Sequence, residues 1–487
     1  MQNRPTRYCI QMVFSSIPFL FYYLPLLLLA YYLIPQSQRQ ARNLLLTAAS
    51  LIFYAWGEGV YVLLLIFSIC LNHLIAKRLI TQNKTVLFAG IAINLLLLGW
   101  YKYAGFMAEA IGITDWPAPH LPLGISFFTF QAISYLIDVY RKEAKGSESI
   151  FNTALYISSF PQLIAGPIVR YKYVAQQILQ RRESVSQFAL GIQFFVIGLA
   201  QKMLLANTVG EVADNAFEST VSLNTVSAWV GLLAYSLQIY FDFAGYSNMA
   251  IGLGHMLGFQ FPRNFNTPYS ATSVTYFWRR WHMTLSEWFR DYLYIPLGGS
   301  RNGAWQTIAN LWIVFLLCGF WHGAAWTFIL WGAWHGLFLS IERLGLAKLL
   351  NRLWSPFQHL YLLLAVFLGW VLFRANSFNH AIDYYASLFG LSATSSTVIS
   401  VIESDRYLFL LAFALLLSTS LPRLLLKKVG IQDSHNDDIN LSGRTVINTN
   451  QSNLVTVLYW GVLFCLFMLS CLAVIGSAYN PFIYFRF

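Results

Sequence analysis

The sequence predicts an all-α polytopic membrane protein, and three observations carry that prediction. Of its 487 residues, 57% are hydrophobic and only 10% are charged, against about 45–50% and about 25% in ordinary soluble domains. The 31 basic and 20 acidic residues are too few to clothe a soluble fold of this size. Apolar runs near the roughly 20 residues that a membrane helix needs recur along almost the whole chain, giving about 11 to 13 segments, some of them incomplete. Lys and Arg fall in short stretches between these runs, so the net charge of +11 reads as membrane topology and not as a nucleic-acid footprint. The five cysteines (Cys9, Cys70, Cys318, Cys465, Cys471) form no CxxC pair and no metal-ligand spacing, which argues against redox work and a zinc site.

The apolar runs, in chain order, are Phe14–Ile34, Leu44–Trp56, Val60–Ile75, Val86–Phe106, Leu121–Tyr140, Phe188–Ala206, Val226–Leu253, Ile308–Ile341, Leu360–Phe373, Tyr407–Leu426 and Leu454–Ser477. No small-residue cleavage site follows the first run, which therefore reads as an anchor and not a removable signal. Ile308–Ile341 is too long for one span and carries Gly319, Gly323, Gly332 and Gly336, so it holds two spans or one bent span with a re-entrant piece. Basic clusters at Arg39/Arg42, Lys77/Arg78/Lys84, Arg170/Lys172/Arg181/Arg182 and Arg423/Lys427/Lys428 mark candidate cytoplasmic loops. Val429–Asn453 is rich in Asn, Asp and Ser, lacks aromatic residues, and reads as a flexible polar loop between the last two spans. No internal repeat, heptad run or second soluble domain interrupts this pattern. No P-loop and no strand followed by GxGxxG is present, which argues against an ATP-driven pump.

A charge at the bilayer centre costs at least about 2.5 kcal/mol, so ionisable groups inside apolar runs are functional candidates. They concentrate between Tyr235 and His335. Tyr240-Phe-Asp242-Phe-Ala-Gly-Tyr246-Ser247-Asn248 places a carboxylate and an amide in an apolar run, either as the lining of a polar tunnel or as a helix-packing pair. From Trp278 to Tyr292, a continuous helix at 100° per residue would set Arg279, His282, Ser286 and Arg290 within an arc of roughly 80°, beside an apolar face of Trp278, Trp281, Leu285 and Trp288. That pattern fits an interfacial helix with a cationic stripe holding a histidine, or a purely anchoring helix. His322 lies deep in Cys318-Gly-Phe-Trp321-His322-Gly323, among small residues and tryptophans, and is the strongest single-residue signal. His335 follows 13 positions later; on one straight helix the two would differ by about 220° and about 20 Å, so they can share a step only if the helix breaks. The same separation, and the lack of an HExxH pair, argue against a zinc site from His282, His322 and His335. The His282-x4-Glu287 spacing stands without the α/β surroundings of soluble-headed acyltransferases, and no G-x-S-x-G elbow is present: Gly124-Ile-Ser126-Phe-Phe lacks the closing glycine.

Several motifs together resemble the membrane-bound O-acyltransferase family, in its bacterial alginate O-acetylase-like branch. They are Met12-Val-Phe-Ser-Ser16, Leu163-Ile-Ala-Gly-Pro167, Tyr240 to Ala250, Pro262-Arg-Asn-Phe265, Phe277-Trp-Arg-Arg-Trp-His282, Tyr294-Ile-Pro-Leu-Gly-Gly299, Gly319-Phe-Trp-His-Gly323 and Asn480-Pro-Phe-Ile-Tyr-Phe-Arg-Phe487. The resemblance covers nearly the whole chain. It implies a single membrane domain over residues 12–487, a ring of tilted, partly short helices around a central tunnel. Residues 1–11 then read as an upstream extension or a misplaced start. It also implies that His322 is the catalytic histidine and His282 the second active-site polar residue, while His335 is given no catalytic role. Arg279, Asp242, Tyr246, Asn248 and Trp321 are expected to support the site or line the tunnel, with no metal.

The function this implies is acyl transfer, with acetyl-CoA as donor substrate and no bound cofactor, across the bacterial inner membrane for O-acetylation of a cell-envelope polysaccharide. His322 would act as general base toward the acceptor hydroxyl; His282 would polarise the thioester carbonyl or orient the acceptor, and Arg279 would stabilise developing negative charge. The implied partner is a periplasmic serine-dependent O-acetyltransferase that completes transfer to the polysaccharide. The Phe482–Phe487 tail would dock that partner or reach the tunnel mouth, or else form a membrane-interface aromatic belt. Alternatives are peptidoglycan O-acetylation, D-alanyl transfer to teichoic acid, and, outside enzymes, a transporter or flippase.

Overall fold

The computed structural model describes residues 12–113, 115–146, 149–219, 223–391, 405–428, 431–434, 444–447, 453–477 and 479–483. The N-terminal stretch 1–11, most of the polar stretch 429–453 and the last four residues of the aromatic tail lie outside the described residues. Among the described residues, six helices are long and apolar enough to cross a membrane: Arg39–Leu79, Lys84–Ala110, Val185–Phe217, Ala304–His322, Ser355–Arg374 and Leu454–Gly476. Shorter apolar helices run over Phe19–Leu33, Ile125–Tyr140 and Tyr407–Ser418. The chain is a multi-pass, all-α membrane protein. The first of the six breaks at Gly59, where Arg39–Glu58 ends and, after one turn, Val62–Leu79 begins, as the two separate apolar runs had predicted. Within the polar stretch, Ile431–Ser434 pairs antiparallel with Arg444–Ile447, a short hairpin that the composition did not announce.

Two compact units divide the chain. One contains Met1–Leu199, Tyr246–Pro262 and Cys471–Ser477; the other contains Ala200–Gly245, Arg263–Ser470 and Ala478–Phe487. The first unit packs Phe14, Phe19, Tyr23, Phe53 and Phe160 into one aromatic cluster. Asn83 caps the helix Lys84–Leu98 by accepting from the backbone N–H groups of Thr85 and Val86 at 2.9 and 3.3 Å. Asn72 and Asn94 exchange amide hydrogen bonds at 3.1 and 2.8 Å, which satisfies two buried polar groups on neighbouring apolar helices. Two of the basic clusters converge at one place: Arg39 and Arg42 reach the Glu183 carboxylate at 2.5 and 3.1 Å, Arg181 at 3.7 Å, and the Tyr31 hydroxyl donates to it. Burial alone would raise the Glu183 pKa; hydrogen bonds from Arg39 and Tyr31, with the Arg39 charge, outweigh it and bring it down to about 2.

In the second unit, the run Val226–Leu253 forms the first part of a helix, Thr225–Met256, whose residues from Tyr246 onward belong to the first unit. At about 1.5 Å per residue it is about 48 Å long, well beyond the roughly 30 Å of hydrocarbon that one span needs. Its residues are buried almost throughout, Ser227, Ser236, Gln238 and Asp242 included. It is therefore a core helix of the protein, apolar because protein surrounds it.

Candidate active site

The site is built on a helical hairpin. Ala304–His322 and Trp326–Ile341 are separate helices, joined by Gly323–Ala325, so the long glycine-bearing run holds two helices. Their backbones touch: a Cβ on Gly319 would lie 2.3 Å from the Phe328 carbonyl oxygen, and one on Gly332 would lie 2.2 Å from that of Phe315. Only glycine allows this approach. The fold-back brings His322, the last residue of the first helix, and His335, on the second, against the same indole. Trp331 lies edge-on to His322 with centroids 5.1 Å apart and edge-on to His335 at 5.0 Å. His335 is fully buried and accepts a hydrogen bond from Trp278 Nε1–H at 3.3 Å, a structural employment for its Nδ1.

His322 lines a small cavity with Ile239, Phe243, Trp281, Trp331, Trp370 and Phe373, and is the only ionisable group in that lining. The rings lock one another: Trp331 stacks on Trp370 at 5.9 Å, Trp281 packs against Trp370 at 5.0 Å, and Phe373 meets His322 at 5.3 Å. Trp331 is fully buried, and its Nε1–H has no acceptor among the described residues. Such a donor suits an oxygen that gains negative charge in a dry site.

The segment around His282 departs from the single amphipathic helix that its pattern suggested. Val274–Trp278 and Met283–Phe289 are separate short helices, with Arg279–His282 as a tight turn between them. Contacts from elsewhere fix the start of the first helix and the turn that follows it. The Glu342 carboxylate caps the first helix, accepting from the Val274 and Thr275 N–H groups at 2.7 and 3.0 Å. Residues 264–266 then pair with the turn: Asn266 N–H donates to Arg280 O and Met283 N–H to Asn264 O, both at 2.9 Å. As a result His282 and Arg279 part company. His282 is fully buried, packs against Phe243 at 4.6 Å and lies 6.3 Å from Trp321, whereas Arg279 is exposed, its guanidinium 5.4 Å above Tyr276. Arg290 is exposed as well and pairs with Asp291 at 2.7 Å. The cationic stripe therefore does not exist; neither Arg279 nor His282 is in the cavity lining, but His282 packs on its Phe243 wall.

Asp242 is employed structurally. It forms a buried ion pair with Lys202 at 2.6 Å, and its second oxygen accepts the Ile483 N–H at 2.8 Å. Lys202 also donates to Pro481 O, and Asn207 donates to Tyr479 O at 3.2 Å. The tail as far as Ile483 is thus tied into the second unit, with Phe482 and Ile483 buried, which does not fit an exposed aromatic belt over those residues. Trp321 is buried beside His322, ring centroids 5.0 Å apart. Tyr246 and Asn248 belong to the first unit, where Tyr246 is buried and stacks on Phe14 at 4.4 Å. Among the described residues no group of three His, Cys, Asp or Glu side chains is placed to hold a metal ion. Two residues were missed. Lys202 sits inside the predicted span Phe188–Ala206, where any lysine should have prompted a search for its counter-ion. Asn264 lies in the quoted Pro-Arg-Asn-Phe motif, but its role depends on a contact across 18 positions.

The cavity-lining His322 and the hairpin that carries it lie within residues 126–379, which match the sequence model of MBOAT, the membrane-bound O-acyltransferase family. The chain belongs to that family. Its similarity to individual members is extensive. It is 42% identical to the probable alginate O-acetylase of Pseudomonas aeruginosa, over 78% of this chain and 75% of that protein. To the probable alginate O-acetylase of Pseudomonas putida it is 38% identical, over 98% and 100%. The peptidoglycan O-acetyltransferase of Helicobacter pylori is 35% identical, over 79% and 81%. As a member of this family the chain is an acyltransferase, and the transporter alternative is set aside.

Proposed function

We propose that this protein transfers an acetyl group from acetyl-CoA, entering from the cytoplasmic side of a bacterial inner membrane, for O-acetylation of an alginate-type cell-envelope polysaccharide. The observation that carries this reading is the enclosed aromatic cavity with His322 as its single ionisable lining group, in a chain 38–42% identical to probable alginate O-acetylases. The His322 imidazole takes the proton of the acceptor hydroxyl as the oxygen attacks the thioester carbonyl. The C–S bond breaks, the thiolate of coenzyme A leaves and takes up that proton, and the products are an acetyl ester and free thiol. The Trp331 N–H is one donor available to the carbonyl oxygen as charge builds there. The apolar, ring-lined surroundings of His322 suit the thioester end of the donor, while its charged nucleotide would stay outside. A periplasmic serine-dependent O-acetyltransferase then carries the group to the polymer.

Mass spectrometry of envelope polymers from cells with and without the gene tests the assignment. Acetyl esters on a uronate polysaccharide should disappear with the gene. Their disappearance from peptidoglycan instead, the polymer named for the Helicobacter pylori relative, would replace the acceptor, and an unchanged acyl profile on every polymer would overturn the reading.

A further inference from the structure

The hydrogen bonds at Asn264 determine which nitrogen of His282 carries the proton. Asn264 Oδ1 lies 3.3 Å from the Thr284 backbone nitrogen, 2.9 Å from the Thr284 hydroxyl and 3.0 Å from His282 Nδ1. A backbone N–H can only donate, so the side-chain atom it meets must be the amide oxygen and not the amide nitrogen. That oxygen has no hydrogen to give, so at the third contact the hydrogen belongs to His282 Nδ1. A neutral imidazole protonated at Nδ1 carries its lone pair on Nε2. His282 Nε2 is buried and has no hydrogen-bond partner among the described residues.

The backbone fixes the position of His282 as well. His282 adopts a left-handed conformation, φ 42° and ψ 52°, which residues with a side chain rarely take up. The paired backbone bonds between 264–266 and 280–283 hold it there. A strained residue fixed by its surroundings, with one ring nitrogen pinned and the other bare, is organised for a task. The rings around it, Phe243, Phe265 and Trp321, bring no competing acid or base.

We propose that Asn264 is a positioning residue of the acyl-transfer site, acting through His282: it holds the imidazole as the Nδ1–H tautomer, so that Nε2 accepts a hydrogen bond from an O–H or N–H of the bound substrates. This rests on the acyltransferase reading and deepens it. Of the two roles open to His282, polarising the thioester carbonyl requires a hydrogen on Nε2, which this tautomer lacks; orienting a substrate donor requires the lone pair, which it has. Donors of that kind exist on both substrates, as the pantetheine amides of acetyl-CoA and the hydroxyls of the acceptor.

The test is a ¹⁵N spectrum of the full-length protein in lipid nanodiscs with its nine histidines labelled, the His282 resonances assigned by their loss in His282→Gln. The wild type should show a protonated Nδ1 and a bare Nε2 at His282. Asn264→Asp, whose carboxylate still accepts all three bonds, should keep that tautomer and most of the turnover; Asn264→Ala should lose the tautomer and about 10–100-fold in kcat. With acetyl-CoA and a uronate oligosaccharide as probes, a rise in KM confined to acetyl-CoA would identify the pantetheine amides as the donor, and one confined to the oligosaccharide the hydroxyls. A wild-type His282 protonated at Nε2, or an Asn264→Ala protein with unchanged tautomer and kinetics, would overturn the proposal. The spectrum reads the tautomer without turnover, so a wild-type protein that transfers no acetyl group would count against the acyltransferase reading and not against the tautomer.

Discussion

At the residue scale, the proposed chemistry rests on a few polar atoms among aromatic rings, and each can be removed with little change of shape. Trp331→Phe keeps the rings that hold His322 but deletes the buried N–H. It should lower kcat by about 10²-fold, in the range found when one donor to a developing oxyanion is lost, with KM for acetyl-CoA nearly unchanged; steady-state release of free thiol measures it, and a wild-type kcat would remove the indole from the mechanism. His322 and His282 stood out in the sequence as candidates because an ionisable side chain in an apolar run demands a reason. The stripe holding Arg279 did not form because the stretch read with helical periodicity is held in a turn by residues 264–266, distant in sequence. Asp242 met the same demand as His322 and answered it differently, with Lys202 and the Ile483 N–H, a pairing that one carboxylate in isolation could not reveal.

At the element scale, the Gly319/Gly332 contact makes the hairpin a single rigid support for His322. Gly332→Ala puts a Cβ 2.2 Å from a carbonyl oxygen and must push the helices apart. A loss of about 1–3 kcal/mol, typical of overpacking, should appear as earlier thermal unfolding in detergent and weaker transfer together. The two-helix reading of this run was legible from glycine content and length; the place where the chain turns was settled by packing. The basic clusters likewise carried only part of their meaning in sequence. Arg39, Arg42 and Arg181 converge on Glu183, so they bind segments together at one end of the first unit as well as marking topology. Glu183→Gln should destabilise the protein at neutral pH by about 3–5 kcal/mol, the usual cost of breaking a buried pair from one side. Because the folded-state pKa of Glu183 is depressed, to about 2 from 4.5, its contribution is fully present above pH 4.5 and fades as pH falls toward 2. Thermal unfolding followed across that window should show wild type and variant converging, and a constant gap would mean that the carboxylate is not the group responsible.

At the scale of the whole molecule, an all-α multi-pass protein was legible from composition alone, because so small a charged fraction leaves no other solvent than lipid. The division into two compact units was not, since it depends on Thr225–Met256 serving both and on a tail that returns to Lys202 and Asp242. That buried pair predicts a coupled response. Lys202→Met or Asp242→Leu alone should abolish most folded protein by leaving one charge uncompensated, while the double variant should recover much of it, as a double-mutant cycle scored by monodisperse yield would reveal. Function at this scale reduces to one claim, that acyl transfer passes through His322. The most direct measurement is acetyl transfer by His322→Ala in reconstituted membranes with labelled acetyl-CoA, alongside a check that the variant is folded and inserted. The account predicts a folded, inserted protein with transfer at background; a folded His322→Ala protein that acetylates its acceptor at the wild-type rate would contradict it.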